Sequence, residues 1–188
     1  MRYYLGDKSL LDQKTVAVVG SRKMSAYGKR VVEWLIPQLV VRGYVIVSGM
    51  ALGVDAWAHN LCLDCGGKTI AVLASGVDVA SPKTNEWLYD RIIASGGLIV
   101  SEHKNGTQPK PTYFLERNSV IAGLSRAVIV VEGSRRSGTL VTAKCALEQG
   151  KEVWAVPGNI FEENSFTPNW LIKNGAIPLV DVNEFILF

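Results

Sequence analysis

The sequence is short of thiols and imidazoles: three cysteines and two histidines among 188 residues. Three cysteines are too few and too odd a set for a disulfide framework. With His59 and His103 as the only histidines, no nucleophilic triad stands out, and the many serines fall in glycine-rich turns that explain them without catalysis. No apolar run approaches the roughly 18 to 20 residues of a membrane span. The opening MRYYLGDKSL lacks the apolar core of a secretory signal. A cytoplasmic protein without a membrane partner is the expectation. A strong charge is missing too, since 20 Lys and Arg oppose 17 Asp and Glu for a net +3. Such a balance tolerates an anionic partner without requiring one, so where the cations cluster matters more than their number.

Apolar material is plentiful, with hydrophobic residues at 48%. This length and composition predict one large core and a single domain over 1–188, with 1–14 a lead-in and 159–188 an extension of the same domain. Short β-branched runs recur as TVAVVG (15–20), YVIVS (44–48), KTIAVL (68–73), GLIVS (97–101), AVIVVEG (127–133) and EVWAVPG (152–158). Each reads as a strand buried on both faces. The intervening segments SAYGKRVVEWLIPQLVVRG, VDAWAHNLCLDCG, TNEWLYDRIIASG, YFLERNSVIAGLS and SGTLVTAKCALEQG carry helical spacing, and four of them end in glycine, which suits a helix C-terminus. Alternation of this kind implies right-handed βαβ crossovers. The predicted fold is α/β, a doubly wound, mainly parallel sheet with helices on both faces, Rossmann-like and extended. Pro37 is expected to kink or divide the first helix. The polar loop HKNGTQPKPT (103–112) is the expected mobile segment. The tail should add a short helix around 170–174 and an extended stretch near IPLV.

Open parallel sheets bind ligands beyond the carboxyl ends of their strands, so the segments that follow the strands hold the functional inventory. A dinucleotide fingerprint would read G-x-G-x-x-G, but the first loop has only Gly20 and Gly28. The second strand ends in Ser48-Gly49 where an acidic residue would hold a ribose. NAD is disfavoured and no cofactor is expected. Arg22 and Lys23 beside Gly20-Ser21 suit a phosphate clamp, or are simply solvated cations. In SRRSGTLVTA (134–143), Arg135 precedes Ser137, Gly138 and Thr139 at a helix start, where amides, hydroxyls and the helix dipole favour an anion. A plain N-cap is the alternative there. In KPTYFLERNSVIAGLS (110–125), Lys110, Tyr113, Phe114 and Arg117 combine cations with aromatics, the chemistry of single-strand binding. Core packing of the two rings is the plainer alternative.

Asp55, His59, Cys62 and Cys65 fall close to one stripe of the second helix. Four ligands on one straight helix cannot surround an ion tetrahedrally, so no metal is expected. Asp55 reads instead as a helix-start residue bonding loop amides, with His59 its neighbour one turn on. Among the acids at strand ends, Asp55, Asp78, Glu102 and Glu132, the last is the one to test for acid or base work. A buried carboxylate bonding loop amides is the commoner arrangement.

In order along the chain, VAVVGSRKMSAYG, YVIVSGMALGVDAWAH, KTIAVLASGVD, GLIVSEH, FLERNSVIAGLSRAVIVVEGSRRSGTLVTAKCALEQGKEVWAVPGN and LIKNGA resemble the DNA-processing protein A family, DprA or Smf, from about residue 15 to residue 180. The resemblance implies a non-enzymatic protein that binds and protects single-stranded DNA in a basic pocket, forms homodimers, and loads RecA recombinase in natural transformation and recombination. Matched by motif, Arg22 of GSR and Arg117 and Asn118 of the RN pair would line the pocket, with Phe114 stacking on a base. Lys110 lies near a position where the family often has a basic residue. Ser119 stands where a second arginine commonly follows RN, which removes one phosphate contact. Family members commonly add an N-terminal helical domain and a C-terminal winged helix, for which 188 residues leave no room. The candidate DNA- and phosphate-binding residues are thus Gly20, Ser21, Arg22, Lys23, Ser48, Gly49, Lys110, Phe114, Arg117, Asn118, Arg135, Ser137, Gly138 and Thr139.

Two further readings use the same loops. The fold also resembles that of nucleotide phosphoribohydrolases and lysine-decarboxylase-like proteins, whose phosphate loop resembles PGGxGTxxE. Here SRRSGTLVTA puts Thr142 where their catalytic glutamate is expected, which argues against hydrolysis. A sensor of a small nucleotide is the third reading.

Overall fold

The computed structural model describes residues 1–185. Among these residues, eight strands form one sheet: β1 (Tyr3–Gly6), β2 (Thr15–Val19), β3 (Val45–Ser48), β4 (Thr69–Val72), β5 (Leu98–Ser101), β6 (Ala127–Val130), β7 (Glu152–Ala155) and β8 (Ile177–Pro178). Six helices connect and flank them: α1 (Ala26–Val41), α2 (Val54–Asp64), α3 (Glu86–Ala94), α4 (Pro111–Gly123), α5 (Gly138–Glu148) and α6 (Phe166–Lys173). The strand order is β1-β5-β4-β3-β2-β6-β7-β8. Every neighbouring pair is parallel except β1 with β5.

The continuous apolar runs form central strands because each strand residue packs against a helical layer on one face or the other. Ala17, Val19, Val47, Val128 and Val130 pack with Val120 and Ile121 of α4 and Ala143 and Ala146 of α5. The alternate residues Val16, Val18, Ile46 and Ile129 pack with Val32, Leu35, Ile36 and Leu39 of α1 and Ala58 of α2. Leu88 and Ile92 of α3 cover Ala71 and Ile99. Each fully buried Leu or Ile here contributes about 1.5 to 3 kcal/mol, and truncating Leu35 to alanine removes about 2 to 5 kcal/mol.

Two expectations need correction. Pro37 does not divide the first helix, which runs unbroken from Ala26 to Val41. Proline removes one backbone donor, but Leu35, Ile36 and Leu39 around it are fully buried and hold the helix against the sheet. The lead-in also contains a strand: β1 pairs antiparallel with β5, from Tyr3 opposite Ser101 to Gly6 opposite Leu98. It was hidden because it is only four residues long and no residue in it is fully buried. It covers the free edge of β5 and ends at Gly6, where φ is +109° and any side chain would strike the Gly97 carbonyl.

The loop expected to be mobile is tied down. The amide of Gly76 donates to the Thr107 carbonyl at 2.9 Å, that of Gly106 to the Asp78 carboxylate at 2.8 and 3.0 Å, and the His103 ring stacks on Tyr113 with centroids 3.8 Å apart. In the tail, α6 begins earlier than expected and β8 falls in the extended stretch; its last three residues lie outside those described. Among the described residues, no helix is long and apolar enough to cross a membrane.

From β2 the chain proceeds outward through β3 and β4 to β5, then returns to place β6 on the other side of β2. The strand order therefore reverses between β2 and β6, the crevice where sheets of this kind take ligands. The segments that leave those two strands are GSRKMS and EGSRRSGT.

Candidate functional site

The site is built around Asp55, in the first turn of α2. Its carboxylate is 5% exposed and accepts from the amides of Gly20 at 3.4 Å and Gly49 at 3.2 Å, tying together the ends of β2 and β3. Gly20 must be glycine because a Cβ would lie 2.6 Å from the Val54 side chain, so α2 tucks directly beneath the turn.

Against Asp55 stands Arg117 of α4, 6% exposed. Its guanidinium donates to the carbonyls of Gly49 and, at 3.1 Å, Val72. A side chain at Gly49 would occupy the guanidinium's own place. Burial pushes the Asp55 carboxyl upward, opposed by Arg117 and the two loop amides. Burial also pushes Arg117 down, opposed by Asp55 and aided by the like charge of Arg22. Arg117 also donates through Nε to the Asn118 side chain at 3.2 Å, and Asn118 donates to the Gly138 carbonyl at 3.3 Å, which joins α4 to the start of α5. Ser137 caps α5, its hydroxyl accepting from the Thr139 amide at 3.1 Å.

Over this buried platform lies Phe114, one turn before Arg117. The Arg22 guanidinium sits 5.2 Å from the ring centroid and that of Arg117 6.0 Å away, so one aromatic ring has two cations within cation–π reach. Gly20, Arg22, Phe114, Arg117, Asn118, Gly138 and Thr139 line one cavity of about 140 Å³, together with Asp55 and Thr142. Seven sequence-nominated residues thus converge, and Ser137 braces them as the helix cap. Ala51 and Leu115 also line this cavity. Sequence reasoning passed over them because a lone apolar side chain carries no chemical signature; the one available clue was that Leu115 adjoins Phe114.

The other nominated residues stand apart from the cavity. The Ser48 hydroxyl is buried and donates to the Val18 carbonyl at 2.7 Å, bracing β3 on β2. The Gly49 amide is already taken by Asp55. Ser21 closes its own turn, exchanging hydrogen bonds with the Lys23 backbone at 3.1 Å. Lys23 lines a different cavity, of about 790 Å³, with Tyr27, Glu132, Asn159, Glu162 and Glu163. Lys110 precedes α4, its ammonium 5.6 Å from the Tyr113 ring. Arg135 stacks over Phe166 at 4.4 Å in a third depression.

The stripe on α2 resolves into separate roles. Asp55 bonds loop amides, as its helix-start position suggests. His59 is fully buried, with Nδ1 2.6 Å from the Thr69 hydroxyl, and burial lowers its pKa to about 3, which keeps it neutral. Cys62 donates to the Lys68 carbonyl at 3.3 Å and Cys65 is exposed. Glu132 is buried against Ser25.

The model of a family described as DNA recombination-mediator protein A matches residues 1–188. Protein Smf of Escherichia coli is 43% identical over 181 residues, which are 96% of this chain and 48% of that protein. The crystal structure of DNA processing protein A from Streptococcus pneumoniae superposes with a TM-score of 0.91 at 42% identity, covering 100% of this chain and 66% of that one. The protein of the same name from Helicobacter pylori, whose structure is described as revealing a single-stranded DNA binding mode, superposes with a TM-score of 0.88 at 32% identity, over 98% of this chain and 84% of that one. The chain spans about half the length of the curated relatives it matches.

Proposed function

The chain belongs to the DNA recombination-mediator protein A family, and on that premise we propose that it binds single-stranded DNA across the reversal point of its sheet. The observation that carries this reading is the Phe114 ring with the guanidiniums of Arg22 and Arg117 both close to it, in the lining of one small cavity. Rings stack on unpaired bases while neighbouring cations hold phosphates, a pairing that suits a strand and is indifferent to its sequence. In this reading Arg22, which is exposed, takes a phosphate. Arg117 acts differently, because it is buried with Nη1 held by two backbone carbonyls and Nε by Asn118: it supplies positive potential from below and sets the shape of the floor. The amide of Gly138 and the hydroxyl of Thr139 offer donors at the start of α5.

A hydrolytic role finds no base here. Thr142 stands at the position where related hydrolases have glutamate, and its hydroxyl donates to the Gly138 carbonyl at 3.4 Å. The one carboxylate lining the cavity, Asp55, is occupied by two amides. As the core of a recombination mediator the chain would act in the cytoplasm as a single domain, protecting the strand, pairing with a second copy and passing the DNA to RecA recombinase. Fluorescence anisotropy with labelled oligo-dT at several salt concentrations tests the central claim. Binding should weaken steeply with salt, since each phosphate contact contributes a slope of about 0.7 for a single strand. Absent or salt-independent binding by folded protein overturns it.

A further inference from the structure

The first helix of a nucleotide-binding sheet ordinarily offers its N-terminal amides to a phosphate. Here a carboxylate of the protein already holds that place. Glu132, 2% exposed at the exit of β6, accepts from the Ser25 amide at 2.9 Å and the Ser25 hydroxyl at 2.6 Å. The same hydroxyl accepts from the Gly28 amide at 2.9 Å. Ser25 is the N-cap of α1, which puts Gly28 at the third helical position. In a capping box the side chain at that position returns to the N-cap amide. Gly28 has no side chain, and a Cβ on it would lie 2.5 Å from the Glu132 carboxyl carbon. The box is therefore closed by a residue 107 positions downstream, and the glycine leaves room for it.

We propose that Glu132 is the positioning residue of the turn that carries Arg22. Asp55 anchors the entrance of this turn at Gly20, Glu132 anchors its exit at Ser25, and Arg22 lies between, over Phe114. Glu132 does not line the cavity of Arg22; it faces the far side of the turn, with Glu162 and Glu163. An effect of Glu132 on a strand held at Arg22 must therefore pass through the turn. The inference rests on the reading of Arg22 as a DNA contact.

A double-mutant cycle tests it, with oligo-dT affinity measured at fixed salt for wild type, Glu132→Gln, Arg22→Ala and the double variant. The glutamine keeps the shape and loses the charge that both Ser25 donors address. Glu132→Gln should weaken binding roughly tenfold, Arg22→Ala by at least as much, and the double variant no further than Arg22→Ala alone. A merely structural role weakens binding equally in both backgrounds, so additive losses overturn the proposal, as does unchanged affinity of Glu132→Gln. Full affinity of Arg22→Ala overturns the underlying reading instead and is visible in that single variant. If circular dichroism shows that Glu132→Gln does not fold, Ser25→Ala replaces it in the cycle, with the same coupling expected.

Discussion

The turn between β2 and α1 separates two cavities that share its backbone and lie beyond the same strand ends, yet they differ in both size and charge. On one side a cavity of about 140 Å³ gathers Arg22, Arg117 and the Phe114 ring. On the other, one of about 790 Å³ is lined by Glu132, Glu162 and Glu163 with a single cation, Lys23. By volume and by position at the sheet's reversal point, the larger cavity is the better ligand site. By chemistry it is the worse place for a phosphodiester. Fold and position choose where a ligand can sit; the sign of the charge and the presence of a stacking face choose which ligand sits there.

Breaking the cationic side from beneath has the largest expected effect. Arg117→Ala leaves the buried Gly49 and Val72 carbonyls without their donor and the buried Asp55 carboxyl without the nearby positive charge, and should cost about 1 to 3 kcal/mol of stability, read by denaturant unfolding, with oligo-dT binding lost alongside. A loss under about 1 kcal/mol, by the same standard, would mean that Arg117 is not integral to the floor. Acid should loosen the same floor. The folded-state pKa of His59 is lowered to about 3 from an ordinary 6.5, so the unfolded chain takes up the proton first. Stability is then full above about pH 6.5 and falls toward pH 3, with a slope approaching about 1.4 kcal/mol per pH unit. His59→Gln, which cannot titrate, should flatten thermal melts between pH 6.5 and 5.

Phe114→Ala should weaken oligo-dT binding by about 1 to 3 kcal/mol if one base stacks on the ring, while leaving the salt slope unchanged. A changed slope in titrations at several salt concentrations would reassign Phe114 from stacking to arranging the cations. The smallest effect belongs to the acidic side: Glu163→Gln should alter affinity by less than about 0.5 kcal/mol, as expected of an exposed charge that touches no strand. A tenfold loss in the same titration would erase the contrast between the two cavities.

The strands β2 to β7 were legible because each is built mainly of apolar residues in succession, the signature of burial on both faces. β1 was not, since its four residues, two partly covered and two exposed, carry neither a run nor a clear alternation. The cavity was legible as residue types: cations, a ring and small residues at strand ends. What each group is bonded to was not. Nothing local distinguishes Arg22, which is exposed, from Arg117, whose donors go to carbonyls 68 and 45 residues away. Nor does any spacing rule place Arg135 on Phe166 instead of beside Ser137. These assignments come from tertiary contacts, which the order of residues specifies only through the whole fold.

The capping of α1 from β6 also bears on how the molecule acquires its site. Helix signals are usually local and available as soon as a segment emerges; this one is complete only when β6 has docked along β2, after a loop of more than a hundred residues has closed. A chain interrupted before β6 would have the strand, the turn, Arg22 and the Ser25 cap, but the carboxylate that closes the box would be missing and the turn would lack its second anchor. Competence to hold a ligand therefore arrives late in folding and reports that the two halves of the sheet have joined.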